Sequence, residues 1–266
     1  LLSIRLAKLT GNRVLMYGCG IGPVSGEGCR KSAARVIDRN VDAITLREDL
    51  SAEELKTMGV TKPKVYVTAD PALLLEAGSE GAVDGFLLGN NIDPAGRYAL
   101  FVLREWQGFE AKKQAFVQSA KYVKDAYGLT PIFFALEPGR DLPPSREVAR
   151  ELPFECPMLS APADEKLIIG MMKKMQVVVS MRLHALIFAS SVAAPLVAVS
   201  YDPKVTGFMH YIGQKHCVYF EDVTAENLCA LIDGALTERS EYSVDRLRAL
   251  AAQNEEIAKE LLEEPI

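Results

Sequence analysis

A chain of 266 residues that is 49% hydrophobic and 24% charged can bury one large core or two ordinary ones, which excludes a peptide-sized module and intrinsic disorder. Its 30 Lys and Arg are outnumbered by 35 Asp and Glu, and the resulting charge of -5 disfavours general nucleic-acid binding while leaving room for a local cationic pocket. Five cysteines (Cys19, Cys29, Cys156, Cys217, Cys229) form an odd set without a CxxC pair and read as reduced thiols of a cytosolic protein.

The opening segment LLSIRLAKLTGN has helical spacing without the layout of a signal peptide. A strand is predicted near Val14 to Tyr17, then the glycine turn Gly18-Cys19-Gly20-Ile21-Gly22-Pro23, a helix over Glu27 to Asp38 and a strand over Asp42 to Leu46. Ser51-Ala52-Glu53-Glu54 reads as a capping box opening a helix that Gly59 closes, followed by a strand near Val65 to Val67. Turn formers crowd the stretch from Glu76 to Gly96, which places a domain boundary there, with domains over 1–90 and 91–266. The alternation then restarts with strand Tyr98 to Leu103, helix Glu110 to Ala126, strand Pro131 to Ala135 and a helix after Pro144. Helix Asp164 to Lys174, strand Gln176 to Val179, helix Leu183 to Val192 and strand Leu196 to Ser200 follow. The most apolar run, Leu183 to Val199, contains His184, Ser190, Ser191 and Pro195, and reads as a helix and a strand rather than a membrane span. A short helix after Pro203, strand Cys217 to Phe220, a helix capped by Thr224 and a final helix over Ser243 to Leu262 complete the chain. This order predicts an α/β fold of two Rossmann-like domains facing a ligand cleft.

In such sheets ligands bind beyond the carboxyl ends of the strands, so polar residues just after strands are the informative ones. Arg47 follows the second strand, Arg182 and His184 follow the strand ending near Val179, and Lys204 follows the next. Cations gathered this way in an acidic chain suit an anionic small molecule. Each also has a plainer reading: Arg47 as a surface cation paired with Glu48 or Asp49, His184 as a hydrogen-bonded core residue, and Lys204 as a solvated lysine at a helix start. Lysine is unfavourable at a helix start, which favours a functional role for Lys204. The glycine turn lacks the full GxGxxG pattern, no P-loop is present, and His210 and His216 show no metal-ligand spacing, so neither a nucleotide cofactor nor a metal is expected. Met171, Met172 and Met175 read as core.

The segment SMRLHALIFASSVAAPLVAVSYDPKVTGFM, with YGCGIGP, VDAITLRED and VTADPAL before it, resembles the polysaccharide pyruvyl transferase family, specifically its bacterial secondary cell wall branch. The resemblance runs through nearly the whole chain in the same order. It implies transfer of a pyruvyl group from phosphoenolpyruvate to two sugar hydroxyls to form a cyclic ketal, without a cofactor, in a fold similar to the glycosyltransferase-B type. Arg47, His184 and Lys204 match the family's functional positions and Arg182 belongs to the same motif. His184 is the expected acid-base residue, and Arg47, Arg182 and Lys204 the expected contacts of phosphoenolpyruvate, with Arg47 facing the others across the cleft. The resemblance also implies a further α/β segment before this chain's first residue, so the first domain is expected to be incomplete. The implied acceptor carries N-acetylmannosamine in a lipid-linked cell wall precursor of the kind used for S-layer anchoring, which would place the enzyme in the cytoplasm at the inner membrane face. A nucleotide-sugar glycosyltransferase or epimerase, and a non-catalytic anion-binding scaffold, are the alternatives.

Overall fold

The computed structural model describes residues 2–238 and 242–263 and divides into two units, one running up to Leu74 and taking in the chain from Asp245 onward, the other Leu75–Val244. In the first unit, α1 (Leu2–Leu9), β1 (Leu15–Cys19), α2 (Glu27–Asn40), β2 (Ala43–Leu46), α3 (Asp49–Met58) and β3 (Lys64–Val67) alternate, and the strands form a parallel sheet in the order β1-β2-β3. Ile44 and Leu46 on β2 are fully buried against Ile37 of α2 and Leu55 of α3.

The second unit contains α4 (Glu80–Gly89), β4 (Tyr98–Val102), α5 (Phe109–Tyr127), β5 (Thr130–Ala135), α6 (Pro138–Arg150), β6 (Met158–Ser160) and α7 (Glu165–Lys173). It continues with β7 (Val177–Ser180), α8 (Leu183–Ser191), β8 (Leu196–Ser200), α9 (Pro203–Tyr211), β9 (Cys217–Tyr219) and α10 (Ala225–Thr237). All six strands are parallel, in the order β6-β5-β4-β7-β8-β9. Strands covered on both faces need unbroken apolar runs, and YALFV of β4 and LVAVS of β8 are buried at every residue. The chain builds outward from β4 to β6, then returns to lay β7 on the other side of β4. Successive crossovers therefore leave opposite faces at β4 and β7, which opens a crevice at their carboxyl ends.

Several expectations need correction. The boundary falls after Leu74 rather than near residue 90, because the turn-rich stretch holds α4. Ser79 caps α4 by accepting the Ala82 amide, and Val83 packs where Gly170 of α7 has no side chain. The final helix, α11 (Val244–Glu263), belongs with the first unit rather than the second. Its fully buried Asn254 donates to the Ala69 carbonyl at 2.9 Å and accepts from the Thr68 hydroxyl at 2.9 Å, pinning the end of β3. Asn254→Ala is expected to lower the stability of this unit by about 1–3 kcal/mol, read as an earlier urea midpoint, because it strips partners from buried polar groups.

Ser51 does not cap α3, which begins at Asp49 after Glu48; its hydroxyl instead accepts the Ile21 amide at 2.7 Å and bonds the Glu48 carboxylate. Helix α6 begins at Pro138, not after Pro144. Pro138 occupies its first turn, where proline is tolerated, while Pro143 and Pro144 lie inside the helix. Pro144 cannot donate to the Arg140 carbonyl, and that carbonyl accepts the Glu105 amide at 2.8 Å instead, tethering the loop after β4. Three-residue β6 had no periodicity to reveal it. Thr224 caps α10 as expected, with Asn227 completing a capping box, and Met171, Met172 and Met175 are buried as expected.

Candidate active site

Within the second unit, β7 and β8 both end in a serine that shapes the following turn. The Ser180 hydroxyl accepts the Arg182 amide at 2.8 Å and donates to the Arg182 carbonyl at 3.0 Å, while the Ser200 hydroxyl donates to the Asp202 carbonyl at 3.0 Å and bonds the Thr206 hydroxyl. These turns deliver Arg182 to the start of α8 and Lys204 to the start of α9.

Arg182 crosses above the end of β4 to the residues after β5. Its Nη2 donates to Glu137 at 3.1 Å and its Nη1 lies 3.6 Å from the fully buried Asp141 carboxylate, too long for a hydrogen bond. Burial pushes the Asp141 carboxyl up from its ordinary value, while the Glu137 amide and then the Arg182 charge pull it back down. Helix α8 has Arg182 as its N-cap residue and no side-chain cap, so its positive end faces the strand edge uncapped by any side chain.

His184 lies in the first turn of α8 and is exposed, whereas Leu183 and Ala185 to Ser191 are all buried. The core-histidine reading is thereby corrected: one turn from the strand edge, this position looks out of the core that the rest of the helix fills. Its ring lies 6.4 Å from that of Phe188. Lys204 is partly exposed and pairs with Asp202 at 3.1 Å, and the same carboxylate accepts the Lys204 amide as the cap of α9. Asp202 thus offsets the unfavourable placing of a lysine at a helix start, and that misfit no longer argues for function.

The sequence reading passed over Arg104, two residues beyond β4. Its guanidinium carbon lies 5.4 Å from the centre of the Tyr201 ring, and Tyr201 in turn meets Trp106 at 4.5 Å between ring centres. The Arg104 Nε is buried with no hydrogen-bond partner, and Arg104 makes no salt bridge among the described residues. Tyr201 comes from beyond β8 and Arg182 from beyond β7, so side chains from several strand ends converge over the β4–β7 crevice.

In the first unit, Arg47 is largely buried rather than a surface cation, with Glu48 and Asp70 each at 3.1 Å and Asp49 not involved. A Cβ on Gly20 would stand 2.9 Å from the Arg47 guanidinium, and one on Gly18, at φ +52°, would meet the Pro71 ring at 2.4 Å. The glycine turn therefore makes room for Arg47 and Pro71. Two carboxylates outweigh one guanidinium here, so these strand ends are not cationic taken alone.

The five cysteines are free thiols, and burial pushes Cys156 and Cys217 up to about 11. Among the described residues no cluster of His, Cys, Asp and Glu could hold a metal ion, and no helix is long and apolar enough to cross a membrane.

The family model described as polysaccharide pyruvyl transferase matches residues 1–203, which includes Arg47, Arg104, Arg182 and His184 and stops one residue short of Lys204. Among solved structures, UDP-GlcNAc 2-epimerase from Methanocaldococcus jannaschii is similar at a TM-score of 0.70 and 13% identity, over 98% of this chain and 73% of that one. Anabaena HepE in complex with UDP and glucose is similar at a TM-score of 0.65 and 13% identity, over 99% and 75%. A glycosyltransferase from Rickettsia africae follows at 0.57 and 12%, over 99% and 74%. At such identities the likeness shows the fold alone: two Rossmann-like units of the kind found in glycosyltransferase-B proteins.

Proposed function

Because the chain belongs to the polysaccharide pyruvyl transferase family, we propose that its donor is phosphoenolpyruvate and its product a cyclic pyruvate ketal on an N-acetylmannosamine-containing, lipid-linked cell wall precursor. The observation that carries this reading is the start of α8. An exposed histidine follows two residues after an arginine with an unbonded N–H, at the uncapped positive end of a helix beside the crevice. Phosphoenolpyruvate carries a phosphate and a carboxylate, and charge-assisted hydrogen bonds from guanidinium groups suit both.

In the proposed reaction the imidazolium of His184 gives a proton to the methylene carbon of the donor, leaving an oxocarbenium-like centre at the adjacent carbon. One sugar hydroxyl adds there, forming a C–O bond and returning its proton to the histidine. A second hydroxyl of the same sugar displaces inorganic phosphate, closing the ketal as the C–O bond to phosphate breaks and its proton leaves with the phosphate. Arg182 holds the anionic donor throughout, and Lys204 adds a second cation at the neighbouring turn. Arg47 enters the proposal through the family resemblance alone, since its own surroundings neutralise it. A lipid-linked acceptor implies work in the cytoplasm at the inner membrane face.

Phosphoenolpyruvate is expected to stabilise the protein against heat, by about 2.7 kcal/mol at a hundredfold excess over its dissociation constant, whereas UDP-sugars leave it unchanged. An equal or larger shift with a UDP-sugar would replace this reading with a nucleotide-sugar enzyme. Release of phosphate that depends on an N-acetylmannosamine acceptor checks the chemistry.

A further inference from the structure

We propose that Arg104 is a direct ligand of the anionic donor, sharing its oxygens with Arg182; this rests on the phosphoenolpyruvate reading above. Four observations point there. Arg104 follows β4 and Arg182 follows β7, and these are the two strands between which the sheet changes winding direction, where a ligand crevice opens. Each guanidinium keeps one buried N–H group unbonded, the Arg104 Nε and the Arg182 Nη1. A ligand oxygen would satisfy donors that burial otherwise leaves unpaired.

The other two observations concern how Arg104 is held. The Tyr201 ring backs the guanidinium, and the neighbouring Glu105 amide is tied to the Arg140 carbonyl that Pro144 leaves available. Ring and tether orient a planar cation without consuming its hydrogen bonds, the arrangement expected of a group that waits for a ligand. Arg182 differs, since Glu137 takes its Nη2 and the Asp141 carboxylate stands 3.6 Å from its Nη1. Arg104 is therefore the less committed of the two. The carboxylate and phosphate of phosphoenolpyruvate supply oxygens enough to answer both unbonded N–H groups.

The test is calorimetric titration of phosphoenolpyruvate into the wild-type protein and into Arg104→Met, with melting temperatures measured in parallel. A hydrogen bond to a charged group is worth about 1.5–3 kcal/mol, so the variant should bind about 10- to 100-fold more weakly. Its melting temperature should hold within a few degrees, because loss of an unsatisfied buried N–H offsets loss of a distant counter-charge to Asp141. Wild-type binding with an unchanged affinity in Arg104→Met would overturn the assignment and leave the donor reading standing. No binding by the wild-type protein would overturn both. Should Arg104→Met fail to fold, Arg104→Lys keeps the charge but loses the planar fork, and about tenfold weaker binding is expected. Wild-type affinity in Arg104→Lys would overturn the proposal.

Discussion

His184→Ala is expected to lower turnover about 10²- to 10⁴-fold, the usual contribution of a positioned proton donor, while the Michaelis constant for phosphoenolpyruvate changes much less. The loss should come with little change in melting temperature, because His184 is the exposed residue of an otherwise buried helix and surface substitutions usually move stability by less than about 0.5 kcal/mol. His184→Gln sharpens the result, since an amide can hydrogen-bond but cannot exchange a proton in this range, and it should be nearly as impaired. The proposed role needs the imidazolium, so the fall of the wild-type rate on the alkaline side that follows loss of this proton should also disappear in both variants. A variant that melts several degrees lower and regains full turnover on cooling would instead assign His184 to structure. Lys204→Ala provides the contrast, with weaker donor binding and a smaller loss of turnover.

How much of this site could be read beforehand follows from what fixes each residue. The buried strands of the second unit write themselves as short unbroken apolar runs, and turns such as Ser-Met-Arg and Ser-Tyr-Asp mark where they end. Arg182, His184 and Lys204 were therefore visible. Arg104 obeys the same rule, standing just after the run YALFVL, but its weight depends on β4 being the neighbour of β7. Strand order is a long-range property that no local pattern encodes. The exposure of His184 was hidden for a related reason: a helix apolar on every side gives no stripe to orient it, and only the packing of its first turn reveals which residue looks outward. Arg47 was found by position but not by environment, since Asp70 stands 23 residues away on the far side of α3 and β3. The misplaced domain boundary has a local cause. Glycine at 81, 85 and 89 weakens the helical signal of α4, which is held by the Ser79 cap and by packing on α7.

Arg182→Met should both abolish tight donor binding and destabilise the second unit, and pH separates the two effects. Asp141 is fully buried, and its counter-charges are Arg182 at 3.6 Å and the more distant Arg104. Removing one partner of a buried ion pair typically costs about 3–5 kcal/mol, and because the Arg182 side chain keeps some exposure and Arg104 remains, the low end of that range is expected at neutral pH. Burial already holds the Asp141 carboxyl above its ordinary value, so the folded state binds this proton more tightly than the unfolded chain does. Its contribution is fully present below the unfolded value of about 3.9 and is lost as pH rises through the folded value. Without Arg182 the folded value moves higher still, and the loss continues further toward neutrality. The deficit of the variant in urea unfolding should therefore be small in acid and grow as the pH rises. A deficit independent of pH would show that Asp141 is not its origin. The double variant Arg182→Met with Asp141→Asn removes the stranded charge and should recover most of the stability at neutral pH, yet it should still fail to bind phosphoenolpyruvate, because the guanidinium that meets the donor is gone.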